Sequence, residues 1–427
     1  MRMRLRPGAL VGLSLVACSA LTNLSELATI DADAGDAGDA APTGGFKSPE
    51  AWSTFDVASV TPAAGFAGAA FDGRYLYLAP VNYVVVRYDT QAPFGSTSSW
   101  AVAPSVAQGP FAGTAFDGRF VYFIPTASSS GVNDGVVRFD TQAAFDVATS
   151  WSVFHTATIN PNAKGFWGGV FDGRFLYLAP YTNTGNASDG VVARYDTQGS
   201  FTTAWDTFDT TAVNAGAQGF TGAIFDGHYV YFVPYVNASA APDGVVARYD
   251  TDGGFDAGDA WTTFDTTSLS GQPRGFGGGA YDGRYLYLAP YIASPDGVVA
   301  RYDTKAAFGA PAAWSTFDLS VINAYASQLS APAFDGRYVY FARYTTGVAG
   351  AGIISRYDTA SSSFGAQTAW DTFDTTTVNP SAARFSGGAF DGRYVYFIPA
   401  ASGVVARFDA VNPPSLPTLP GWHGSFF

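Results

Sequence analysis

The chain has one cysteine, Cys18, so no intramolecular disulfide can staple it and its stability has to come from packing. Histidine is nearly as scarce. His155, His228 and His423 are the full set, and no Cys or His spacing resembles a zinc site. Charged residues make up 13% of the chain, against about 25% in an average protein. The only glutamates are Glu26 and Glu50. The formal charge is −13, and removing Arg2, Arg4 and Arg6 with an N-terminal segment takes it to −16. That balance argues against general nucleic-acid affinity, which needs a cationic surface. No segment carries a 3.6-residue apolar stripe, which excludes a helical solenoid. No phosphate loop or nucleophile elbow is present, and the glycine string Gly275–Gly279 reads as an inner strand.

What the chain does have is one phrase written seven times. Phe71–Pro80 reads FDGRYLYLAP, and variants begin at Phe116, Phe171, Phe225, Tyr281, Phe334 and Phe390. The Asp of each phrase is residue 72, 117, 172, 226, 282, 335 or 391, at intervals of 45, 55, 54, 56, 53 and 56 residues. Asp-Gly between two runs of aromatic and β-branched residues predicts a hairpin with a type I′ turn. Each unit adds a third run ending Arg-Tyr/Phe-Asp, such as Val191–Asp196, and a fourth that starts on Trp, such as Trp205–Asp209. Four short strands per ~40–50-residue unit predict a β-propeller blade. The Gly/Ala-rich first run suits the crowded position at the axis.

The ends predict how the ring closes. A Trp run, Trp52–Asp56, precedes the first hairpin, and the last unit stops at Asp409 without one. The N-terminal strand is therefore expected to complete the last blade and remove the exposed sheet edge. The expected fold is all-β, a seven-bladed propeller of four antiparallel strands per blade, over residues 50–410. Residues 18–49, rich in Ala, Gly and Asp, are expected to be a tether that cannot bury a core. Residues 411–427 form a Pro-rich tail.

Two resemblances add to this. The order of a Tyr-Asp strand and then a Trp strand, as in Arg301–Thr304 followed by Trp314–Phe317, resembles kelch-type propellers. The departure lies at the end of strand two, where kelch repeats carry a Gly pair and this chain has Ala289-Pro290-Tyr291. That family includes copper enzymes with His ligands and a Cys-modified Tyr, for which this chain is poorly supplied. Residues 1–17 read as an export signal, with Arg2, Arg4 and Arg6 before a short apolar run. Leu15-Val16-Ala17-Cys18 resembles a bacterial lipobox, which implies a lipid on Cys18; the alternative is an ordinary signal cleaved a little later. Ser19 after the cysteine implies the outer membrane. The resulting expectation is an exported, lipid-anchored, monomeric protein at the outer membrane or cell surface.

The residues that break the repeat are the candidates for function. Six basic residues follow the hairpin Gly and seven lie in the third strand. Groups present in every blade are expected to pair with each other or to cap backbone. Of the remaining cations, Lys164, Arg274 and Arg384 precede inner strands and Arg343 replaces a Pro, all at the end opposite the hairpin turns. Tyr181, Tyr235, Tyr291 and Tyr344 follow strand two, and Trp167 stands where other blades have small residues. Aromatic faces beside cations suit a sugar ring or an anionic polymer. Asp134, Asp189, Asp243 and Asp296 precede Gly at strand three; they are a weak candidate Ca²⁺ set, with turn chemistry the expected role. No cofactor is expected otherwise.

The first expectation is a non-enzymatic binding propeller whose loop-rich face takes a polysaccharide, acidic groups included, or an envelope protein. A carbohydrate lyase or hydrolase with its site at the channel mouth is the alternative, and a structural envelope protein is the third.

Overall fold

The computed structural model describes residues 45–410, apart from 63–64, 82–83, 106–108, 129–130, 184–186, 293–296, 331 and 346–348. The export signal, Cys18, most of the tether, Asp296 and the C-terminal tail lie outside the described residues.

The fold is a seven-bladed β-propeller. Each blade is a four-stranded antiparallel sheet in the order first, second, third, Trp strand. In blade three these are Phe166–Phe171, Phe175–Pro180, Val191–Asp196 and Trp205–Asp209. Blade seven takes its outer strand from the other end of the chain. Trp52–Asp56 pairs antiparallel with Val404–Asp409, Trp52 opposite Phe408 and Asp56 opposite Val404. Val404–Asp409 is therefore covered, and blade seven has the same four strands as its neighbours.

Small residues line the axis because the inner strands touch. A Cβ on Gly113, at φ 151°, would lie 2.8 Å from the Cα of Gly168 in the next blade. Blade six departs from this pattern. Pro332 has no N–H for a ladder, and its inner strand is cut to Ala333–Phe334.

The hairpin differs from the expected type I′ turn. Asp72 N–H donates to the Tyr75 carbonyl at 3.1 Å, so the two turn residues are Gly73 and Arg74. Only the glycine has positive φ, 101°, the pattern of a II′ turn. The aspartate flanks the turn and acts as an acceptor. Its Oδ1 takes the N–H groups of Arg74 (2.8 Å) and Tyr75 (2.6 Å), and its Oδ2 takes the Tyr77 hydroxyl (2.7 Å).

The repeated cations are used in holding the ring together. The hairpin arginine forks onto the third-strand Asp, as Arg74 does onto Asp89 at 3.2 and 2.7 Å. Such exposed pairs contribute little, about 0–1 kcal/mol each. The third-strand arginine does more, because it lies between two rings of adjacent blades. Arg87 sits 4.1 Å from the Tyr75 centroid and 4.3 Å from that of Phe145 in the next blade. The same sandwich recurs around the ring. It closes through Arg356 over Phe46 and Tyr338 and through Arg407 over Phe94 and Tyr394. Each desolvated contact of this kind stabilises by about 1–2 kcal/mol.

The Trp strands add a second inter-blade contact. The Phe three residues after each Trp stacks on the Trp of the next blade, as Phe208 does on Trp261 at 4.6 Å and 8°. Blade one has Trp100-Ala101-Val102-Ala103 and no such Phe, so Trp151 lacks this stack and meets Phe123, Phe139 and Phe145 instead.

Candidate functional site at the channel mouth

A cavity of about 140 Å³ opens on the propeller axis at the end opposite the hairpin turns, and all seven blades contribute to its lining. Its walls come from two repeated positions, the first residues of the inner strand and the residue just after strand two. In blades one, two and seven the second position holds Val81, Thr126 and Ala400. In blades three to six it holds Tyr181, Tyr235, Tyr291 and Tyr344. One half of the rim is therefore low and the other aromatic.

The aromatic half is continuous. Trp167 packs edge-on against Tyr181 (4.9 Å, 82°), and Tyr181 lies 5.8 Å from Tyr235. Tyr235 lies 5.7 Å from Tyr291, which meets Tyr344 at 5.1 Å and 75°. Five rings thus form one arc across four blades. Trp167, Tyr235, Tyr291 and Tyr344 line the cavity directly, and Tyr181 links Trp167 to Tyr235. Every one of the five is half-buried.

The phenols also form an electrostatic unit. Burial raises the Tyr235 and Tyr291 pKa values far above the ordinary phenol value, and the neighbouring tyrosines of the arc raise them further. Tyr181 is raised by burial. The Tyr291 hydroxyl also hydrogen-bonds with Tyr344. The Tyr181, Tyr235 and Tyr291 hydroxyls therefore stay protonated and act as neutral donors and acceptors. Elsewhere on the wall, Thr221 donates to the Phe276 carbonyl (2.7 Å) and Ser386 to that of Phe66 (2.7 Å). The buried Thr126 hydroxyl has no hydrogen-bond partner.

The four non-repeat cations lie at this end of the ring but not in the lining. Arg343 is buried, donates from Nη1 to the Ala349 carbonyl (2.7 Å) and sits 5.5 Å over Tyr325. Arg274 reaches Gln272 Oε1 at 3.5 Å. Lys164 is half-buried, and its charge bears on Asp189. Arg384 takes a left-handed position, φ 62°, where blades three to five have Gly165, Gly219 and Gly275. Its Nε is buried without a hydrogen-bond partner. The structure thus brings the aromatics together and leaves the cations around them.

Of the Asp residues before strand three, Asp134, Asp189 and Asp243 stand one to a blade, each in its own turn. Among the described residues they form no common metal cluster. Asp134 takes the exposed His155 at 3.0 Å. Asp189 and Asp243 are different: they are 7% and 9% exposed, and in each one Oδ2 has no hydrogen-bond partner. Burial raises both pKa values to about 6, partly offset by backbone N–H donors such as Val191 and Gly244. Asp189 N–H donates to the Tyr181 carbonyl (3.2 Å) and Asp243 N–H to that of Tyr235 (2.9 Å), so both turns abut the arc. Their type and spacing read as ordinary turn residues, and no sequence signal marks them as buried.

No family model matches the chain, and no curated protein matches it by sequence. Solved structures do match in fold. One is a catalytically inactive histidine-to-alanine form of virginiamycin B lyase from Staphylococcus aureus with quinupristin. It is 13% identical, with TM-score 0.57, over 84% of this chain and 99% of that one. The selenomethionine-substituted form of that lyase gives 12%, 0.55, 84% and 99%. YCF48 from Cyanidioschyzon merolae gives 13%, 0.52, 85% and 99%. The likeness is one of fold.

Proposed function

We propose that this chain is a binding propeller whose channel mouth takes a carbohydrate, with the five-ring arc as the contact surface. The observation that carries this is the unbroken run Trp167–Tyr181–Tyr235–Tyr291–Tyr344 on one half of the rim. Ring faces cover the apolar side of a sugar, and protonated phenols beside them exchange hydrogen bonds with its hydroxyls. Among the described residues the lining contains no Lys, Arg, Asp, Glu or His. That favours a neutral sugar over the acidic one expected from the nearby cations, and binding over proton-transfer chemistry.

The setting forms part of the same proposal. A lipid on Cys18 would hold the propeller at the outer membrane or cell surface, with the acidic segment after it giving reach to a glycan or envelope protein. The Tyr-Asp and Trp strand order supports kinship with kelch-type propellers.

The test is binding of a glycan panel to the wild type and to the Tyr235→Ala/Tyr291→Ala double variant. Losing two stacking rings is expected to weaken binding about tenfold or more. Joint replacement of Lys164, Arg274 and Arg384 by alanine is expected to change it by less than about threefold at physiological salt. Release of product from any glycan of the panel would replace this reading with the enzymatic one.

A further inference from the structure

Blade four breaks the repeat twice at the opposite end of the ring, and the two changes meet in space. His228 stands where the other six hairpins have Arg. Asp252 stands two residues after the third-strand Asp, where other blades have Gln91, Gln142, Gln198, Lys305 and Ala360. The His228 Nε2 lies 2.9 Å from Asp250 Oδ1 and 3.8 Å from Asp252 Oδ2. The three ligand atoms all lie within 4.8 Å of one another.

We propose that His228, Asp250 and Asp252 form a binding site for a first-row divalent cation such as Zn²⁺. The repeat itself supplies the comparison. In blades one, two, three, five and six an arginine donates to both carboxylate oxygens, and in blade seven Arg393 donates twice to Asp409 Oδ2; each pair is neutral. Here an imidazole replaces the guanidinium fork, and Asp250 Oδ2 has no hydrogen bond comparable to that of Asp89 Oδ2 with Arg74. A second carboxylate is added as well. The cluster thus gains a carboxylate and loses the fixed charge of the guanidinium relative to its sister blades, a donor set that suits a dication.

The spacing agrees with this. Ligands about 2.0–2.2 Å from a metal, at angles between square and tetrahedral, lie roughly 3–3.5 Å apart, and the two distances from Nε2 bracket that span. One nitrogen and two carboxylates leave positions for water and match zinc and its neighbours better than the all-oxygen set of Ca²⁺.

The parts are also held in place. Thr251, between the two aspartates, donates to the His228 carbonyl from its N–H (3.3 Å) and its hydroxyl (2.5 Å). The imidazole lies against the Tyr229 ring at 4.2 Å. Asp252 N–H donates to Asp250 Oδ1 (3.1 Å). Little has to move for the three groups to share an ion.

Titration calorimetry of the full chain with ZnCl₂ tests this, using two variants that restore residues present in sister blades, His228→Arg and Asp252→Gln. Both are expected to fold, which a melting curve checks. The wild type is expected to bind one equivalent of zinc with a micromolar Kd, at least tenfold tighter than either variant. Equal zinc binding by wild type and variants, as from His155 or His423 alone, would overturn the proposal. So would the absence of wild-type binding at millimolar zinc.

Discussion

Replacing Trp52 by alanine is expected to cost about 3–5 kcal/mol, because it removes a large buried side chain at the one junction where the chain's ends meet. Trp52 stacks on Phe373 at 4.8 Å and 10°, packs on Phe397 and Phe408, and donates from Nε1 to the Phe46 carbonyl (2.9 Å). The same segment carries Phe46, which Arg356 covers from blade six at 4.2 Å. Losing the Trp therefore loosens the seam between blades six and seven together with the packing of the N-terminal strand inside blade seven. Trp151→Ala, at the junction without the stacked Phe, is the matched comparison and is expected to cost less. Urea unfolding midpoints of the two variants measure the difference. An unchanged midpoint for Trp52→Ala would mean that the N-terminal strand does not close the ring.

The second large effect has the opposite sign. Asp189→Asn and Asp243→Asn are each expected to stabilise the protein at neutral pH by roughly 1–3 kcal/mol. Both carboxyls have folded pKa values near 6, above the ordinary 3.8, because burial penalises the charged form and one oxygen of each has no donor. A raised carboxyl pKa means that the folded state holds the proton more tightly than the unfolded state does. Its contribution to stability is thus fully present below about pH 4, falls as pH rises through about 6, and stays lost above that. An amide keeps the acceptor that takes the Val191 N–H at Asp189 and removes the buried charge. The double variant is expected to be more stable than wild type at pH 7.5 and to show a flatter profile between pH 4 and 7. Unfolding midpoints across that range decide it. A double variant less stable than wild type at pH 7.5 would show that the ionised groups have partners after all.

Most of the architecture is legible because it rests on spacing. Seven Asp-Gly hairpins, third strands ending in Asp and an N-terminal Trp strand without a hairpin determine blade number, strand order and closure. The turn type is not legible in the same way. Asp-Gly fits two registers of a two-residue loop, and the choice depends on what the carboxylate can accept. In the folded blade it gains two backbone N–H groups and a tyrosine hydroxyl by standing outside the turn.

The site divides similarly. Tyr181, Tyr235, Tyr291 and Tyr344 are visible as departures from the repeat at one position, so their arrival on one rim follows from blade symmetry. Their joining with Trp167 into an arc depends on ring orientation, which spacing does not encode. The cations share that end of the ring by the same symmetry, yet closeness in the repeat does not place a side chain in the cavity wall. Arg384 shows the limit, since it occupies a left-handed backbone position that sister blades give to glycine. The proposed metal triad is fainter still, because His228 and Asp252 look like isolated substitutions until the pairing of strands two and three brings them within 3.8 Å.

The central claim, that the aromatic arc is a carbohydrate surface, is tested most directly by a glycan array probed with residues 46–427. Wild type and the Tyr235→Ala/Tyr291→Ala variant would be compared at low and high salt. The account predicts wild-type binding to neutral glycans that salt barely changes and that the double variant loses. Binding that survives in the double variant, or that disappears at high salt, would contradict it and move the site from the rings to the cations around them.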